Sequence, residues 1–125
     1  MKIYVFGNPF IDEDNMAYLV AKKLDIPGIE FVYCRSPEVL IESGKDLVIM
    51  DVVANTDKVV MIDDIDLLHQ FSLLSLHDFD LAYFLKLLKK MGKIKTVKII
   101  GVPQKGKVEE IVKEVAPLLS SFNSS

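Results

Sequence analysis

The sequence predicts an α/β fold: one domain spanning residues 1–125, with a twisted, mixed five-stranded sheet and helices on both faces. Three observations lead there. Short apolar runs alternate along the chain with amphipathic stretches. The runs lack period-two alternation, as expected of strands covered on both sides. Several connections are too short to hold a helix, notably the one between the third and fourth runs, which is expected to form an antiparallel hairpin.

Each element has a local reason. Ile3 to Phe6 is the first strand, and Gly7-Asn8-Pro9 ends it with three turn-forming residues. Asp14 or Asn15 is expected to cap a helix from Met16 to Leu24, whose apolar face is Met16, Leu19, Val20 and Leu24. Asp25-Ile26-Pro27-Gly28 is a turn, and Ile29 to Cys34 the second strand. Ser36 caps a short helix with Pro37 at its first position, and Gly44 closes it. Leu47-Val48-Ile49-Met50 is the third strand, ending at Asp51, and Lys58 to Ile62 the fourth. From Asp63 to Leu74 the periodicity is poor, and a loop is expected. Leu81, Phe84, Leu85 and Leu88 mark a helix over about 78–91, stopped by Gly92. Val97 to Val102 is the fifth strand, and 106–122 the last helix, with Pro117 inside it.

Composition limits the function classes. Half of the 125 residues are hydrophobic, ample for a packed core, yet no apolar run reaches the roughly 18 residues of a membrane span. The N-terminal stretch does not read as a signal peptide. The single cysteine, Cys34, forms no internal disulfide, so a cytoplasmic home is expected. The net charge of −3 hides an asymmetry: residues 1–80 hold 15 acids against 6 bases, and residues 81–125 hold 9 bases against 3 acids. Lys86, Lys89, Lys90 and Lys93 lie opposite the apolar stripe of their helix, where solvent is expected. No interleaved aromatics or Gly-rich loop point to nucleic acid or nucleotide.

Chemistry concentrates where strands end. In open α/β sheets, ligands bind outside the carboxyl ends of the strands. Asp12, Glu13 and Asp14 crowd the crossing from the first strand to the first helix, and Asp51 ends the third strand. His77 precedes the helix over about 78–91. Three carboxylates exceed what helix capping needs. Asp14, Asp51 and His77 together would suit a borderline divalent ion such as nickel or zinc. The positive helix end disfavours imidazolium, which keeps His77 available as a ligand. Singly, each has an ordinary explanation: a cap, a strand end bonded to loop amides, a solvated histidine. Asp63, Asp64, Asp66 and His69 lack the Gly and distant Glu of a calcium loop and read as a solvated acidic stretch. Cys34 has no base suggested nearby and reads as a buried, inert thiol.

In order and spacing, the chain resembles the [NiFe]-hydrogenase maturation endopeptidases. The resemblance rests on Gly7-Asn8 four residues before the acidic cluster, on Leu47-Val48-Ile49-Met50-Asp51, on Ser75-Leu76-His77 before Leu81, and on Ile100-Gly101-Val102-Pro103. Phe6 stands where many members have Gly, and Asn15-Met16-Ala17 where many have a Gly. The resemblance implies an aspartic-type, metal-recognising endopeptidase that removes the C-terminal extension of a hydrogenase large-subunit precursor. Nickel, carried by the precursor rather than held permanently, is then the recognition signal. The family's nickel-contacting positions fall on Asp14, Asp51 and His77, with Asp14 and Asp51 also the catalytic candidates. A monomer is expected. Two other readings stay open at this stage: a phospho-receiver domain with Asp51 as acceptor, and a homologue that binds its partner without cleaving it.

Overall fold

A computed structural model describes residues 1–71, 73 and 81–122. Its strands are β1 (Lys2–Phe6), β2 (Glu30–Cys34), β3 (Asp46–Val53), β4 (Val60–Ile62) and β5 (Thr96–Pro103). Its α-helices are α1 (Met16–Lys23), α2 (Leu81–Lys90) and α3 (Val108–Phe122), and three 3-10 segments cover Asp12–Asp14, Pro37–Glu42 and Ile65–Gln70. The strands pair in the order β2-β1-β3-β5-β4 as one mixed five-stranded sheet. The first four in that order are parallel, and β4 alone runs antiparallel.

The alternation of side chains across the sheet divides the core in two. On one face Tyr4, Phe6, Leu47, Ile49, Val53 and Ile99 pack under Leu40, Ile65, Leu68 and the α2 residues Leu81, Ala82, Leu85 and Leu88. On the other, Ile3, Val5, Val48, Met50, Val52, Ile100 and Val102 pack under α1 and α3. The predicted helices on both faces are therefore present, and the unalternating apolar runs follow from them.

Four local expectations need correction. β4 does not form a hairpin with β3; it pairs with β5, Val60 opposite Gly101 and Ile62 opposite Ile99. β3 has β5 along its whole length on one edge and β1 on the other, so the fourth strand pairs at an outer edge of the sheet, that of β5. Leu19 is 40 % exposed, because Ala17 and Ala21 bring α1 close to the sheet and take the inward positions. The stretch predicted as a loop holds the 3-10 segment Ile65–Gln70, started by Asp64, whose carboxylate accepts from the Asp66 N–H at 2.9 Å. A repeat of three residues per turn has no 3.6-residue signature to find. Finally, Asn15 is the N-cap residue of α1, and its side chain makes no capping bond.

Gly101 fits one narrow place. A Cβ there would sit 2.3 Å from Val53 Cγ2 and 2.8 Å from Val60 Cγ2. Both neighbours are β-branched and hold stiff rotamers. Gly101→Ala should therefore cost about 1–3 kcal/mol through overpacking, read as a lowered midpoint in urea unfolding with an unchanged slope.

Candidate functional site

The loop after β1 is built around a glycine. Gly7 has φ +141°, and a Cβ there would meet the Asp14 carbonyl oxygen at 2.6 Å. Without that Cβ the chain folds back on itself: the Asn8 N–H donates to the Asp14 carbonyl at 2.8 Å, and the Asp14 N–H to Ile11 at 2.9 Å. The Asn8 side-chain oxygen accepts from the Phe10 N–H at 3.0 Å, an Asx-type turn. The Asp14 carboxylate thus lies over the tip of β1, its Oδ1 3.5 Å from where a Gly7 Cβ would be. Asp14 is only 9 % exposed, whereas Asp12 and Glu13 beside it face solvent.

Asp51 lies within β3, fully buried, with Oδ1 accepting from the Val52 N–H at 2.8 Å. The strand therefore extends two residues past the expected end. β1 and β3 pair through Val5 and Met50, so Asp51 stands one residue beyond the last paired position, toward the carboxyl ends of both strands. Neighbouring strands are about 4.8 Å apart. Gly101 stands opposite Asp51 in β5, and the space a side chain would take there is filled by Val53 and Val60.

β1 and β3 also flank the point where the order of strands reverses, because the chain leaves β1 for β2 on one side and returns to β3 on the other. That switch point is where open α/β sheets place ligands. Asp14 and Asp51, the only polar or charged residues that are buried among those described, both lie at it. His77, the third candidate, lies outside the described residues. Among the described residues, no three His, Cys, Asp or Glu side chains gather as a metal-binding group. Two carboxylates can accept protons, orient water or contribute oxygens to a divalent ion.

Features the sequence reading passed over complete the edge. Gln104, in the turn after β5, donates from its amide nitrogen to the Glu13 carbonyl at 2.9 Å, tying that turn to the segment carrying Asp14. It also lines a polar depression of about 500 Å³ with Asn55, Thr56, Asp57 and Lys105. Its place directly after a strand's carboxyl end was the signal that could have found it. Tyr18 donates its hydroxyl to the Cys34 carbonyl at 3.1 Å. Burial pushes that hydroxyl's pKa up, the Cys34 and Asp14 charges add to the shift, and Arg35 opposes it.

The remaining candidates take ordinary roles. Asp63 and Asp66 are exposed, and Asp66 approaches Lys86 at 3.9 Å across open surface. The side chain of His69 lies outside the described residues. Cys34 is 4 % exposed, and burial raises its thiol pKa to about 11. Cys34 should therefore resist iodoacetamide at pH 8 in the native protein and react at once in denaturant, as followed by mass. No helix among the described residues is long and apolar enough to cross a membrane.

Comparison with known proteins gives a consistent picture. The family model HycI, hydrogenase maturation protease, matches residues 38–120, a span that includes Asp51 but begins after Asp14. A solved structure titled as the solution structure of an endopeptidase from Escherichia coli is similar, with TM-score 0.63 and 19% identity over 97% of this chain and 94% of that one. The hydrogenase maturating endopeptidase HybD from E. coli is similar to the same degree, with TM-score 0.62 and 20% identity over 97% and 94% of the two chains. These two likenesses show the fold. Comparison with curated proteins gave no match.

Proposed function

The chain belongs to the hydrogenase maturation protease family, and from that premise we propose that it removes the C-terminal extension of a nickel-loaded [NiFe]-hydrogenase large-subunit precursor. The observation that carries the site assignment is the pair of buried carboxylates, Asp14 and Asp51, at the strand switch point. Burying a carboxylate is costly unless something is gained by it. Two of them at one edge of a sheet are a reason to look for chemistry there.

In this reading the nickel arrives as part of the substrate. Asp14, Asp51 and His77 approach it and fix the scissile peptide beside the carboxylates. One carboxylate takes a proton from water as the water oxygen bonds to the carbonyl carbon. The C–N bond then breaks, and the proton passes to the leaving amine. The nickel supplies polarisation of the substrate carbonyl. The free, buried Cys34 fits a reducing cytoplasm, and we take the enzyme to act there as a monomer.

Purified protein mixed with nickel-loaded precursor should release the C-terminal peptide, seen as a mass loss from the large subunit. A precursor of unchanged mass that still bound the protein would instead show a binding homologue without catalysis. Nothing favours the phospho-receiver reading: Asp51 is fully buried, and one of its oxygens already accepts from the backbone.

A further inference from the structure

Phe10 is the most exposed large apolar side chain among the described residues, at 83 %, and it sits four residues before Asp14. Such a side chain in a loose loop would mean little. This loop is not loose. Asn8 holds the Phe10 N–H through its side chain, and three backbone bonds close the loop from Asn8 to Asp14. The Arg35 guanidinium stands over the Phe10 ring, 5.4 Å from its centroid. Arg35 lies near enough to Tyr18 for its charge to favour the ionised hydroxyl, and the Tyr18 ring meets Tyr33 edge-on at 4.9 Å. Tyr33 is 41 % exposed and Ile11 46 %. The result is an outward-facing patch of Phe10, Ile11, Tyr33 and Arg35, underlain by the buried Tyr18, beside the loop that carries Asp14.

We propose that this surface, centred on Phe10 and Arg35, docks the large-subunit precursor on the β2 side of the cleavage site. The inference rests on the processing function proposed above and adds where the substrate's body is gripped. The occupant follows from continuity with the site: Tyr18 lies one turn after Asp14, and its Cδ1 is 3.7 Å from where a Gly7 Cβ would be, as the Asp14 carboxylate is 3.5 Å from it. A partner seated on Phe10 therefore rests against the same short loop that places Asp14. The composition suits the role, because rigid aromatic and arginine anchors dominate binding energy in protein interfaces. They lose little side-chain freedom on binding, since stacking has already ordered them. The chemistry expected of the partner is an apolar recess for the Phe10 ring with a carboxylate or carbonyl oxygen beside it for Arg35.

The test measures binding and cleavage together, using purified full-length protein and nickel-loaded precursor, with Phe10→Ser, Arg35→Ala and Phe10→Trp. Phe10→Ser and Arg35→Ala should raise Kd and KM by about tenfold or more, with kcat at saturation largely kept, and Phe10→Trp should restore binding. Thermal melting should not move for Phe10→Ser, because the ring is exposed. Met91→Ser removes a comparably exposed apolar side chain (59 %) just past the end of α2, and should leave Kd unchanged. Wild-type affinity in the Phe10→Ser and Arg35→Ala variants, with normal processing by the wild type, would overturn the docking surface and leave the protease reading intact. If the wild type self-associates and Phe10→Ser abolishes only that, the occupant is a second copy and the proposal fails. A wild type that neither binds nor cleaves the precursor would sink both readings.

Discussion

Asp14→Ala and Asp51→Ala should each lower processing of nickel-loaded precursor by at least about a hundredfold, the scale of losing a positioned acid or base. The two substitutions differ in their side effects, and the difference separates chemistry from folding. Asp51 is fully buried, and its Oδ1 accepts from the Val52 N–H at 2.8 Å. Truncation to Ala leaves that donor buried without its acceptor, at about 1–3 kcal/mol. Asp51→Asn keeps an acceptor oxygen in the same place. It should therefore keep stability while losing activity, because an amide neither takes a proton from water nor carries charge. Asp14 lies in a loop whose bonds to its N–H and carbonyl are backbone bonds that Asp14→Ala keeps, so that variant should still fold. Asp14→Glu should retain part of the activity, since it keeps a carboxylate on the same loop. Peptide release followed by mass, beside urea unfolding of each variant, checks both halves. Full activity in Asp51→Asn would remove Asp51 from the catalytic pair.

The parallel part of this fold could be read along the chain because burial on both faces writes itself as uninterrupted apolar runs. Ile3 to Phe6 and Leu47 to Met50 declare themselves in this way and lie in β1 and β3, and Val97 to Val102 in β5 does so apart from Lys98. Pairing is different, since a strand's partner is a long-range choice. A short link between β3 and β4 suggested a hairpin, yet the free edge was on β5, a strand that comes more than thirty residues later. Gly101 carries part of that choice in the sequence, but its meaning appears only when Val53 and Val60 are seen filling its place. The site divides along the same line. Asp14 and Asp51 could be singled out because strand ends and turn residues are local signals. Gln104 carried the same local signal, its place after β5, but its bond to Glu13 and the Arg35–Phe10 stack could not be read, because each joins segments distant in sequence.

Nickel-free precursor should be left uncut under conditions in which nickel-loaded precursor is processed to completion, and the protein purified alone should hold divalent metal weakly. Both expectations follow from the donor set proposed. Two carboxylates and one imidazole leave coordination positions open, whereas a site built to retain its metal closes them with protein ligands. In that proposal the closing ligands come from the precursor. Recognition then depends on a metal that both partners share. Its absence would remove the contacts that seat the scissile peptide, and the loss would appear in kcat/KM as well as in binding. His77→Ala should mimic the absence of nickel, lowering cleavage of loaded precursor while leaving the residual rate on nickel-free precursor unchanged. The experiment compares precursor made with and without nickel, each mixed with wild type and with His77→Ala, and follows the C-terminal peptide by mass. Equal cleavage of both precursors by the wild type would exclude nickel as the recognition signal while leaving the peptidase assignment in place, and Asp14 and Asp51 would then have to act on the peptide without a metal between them.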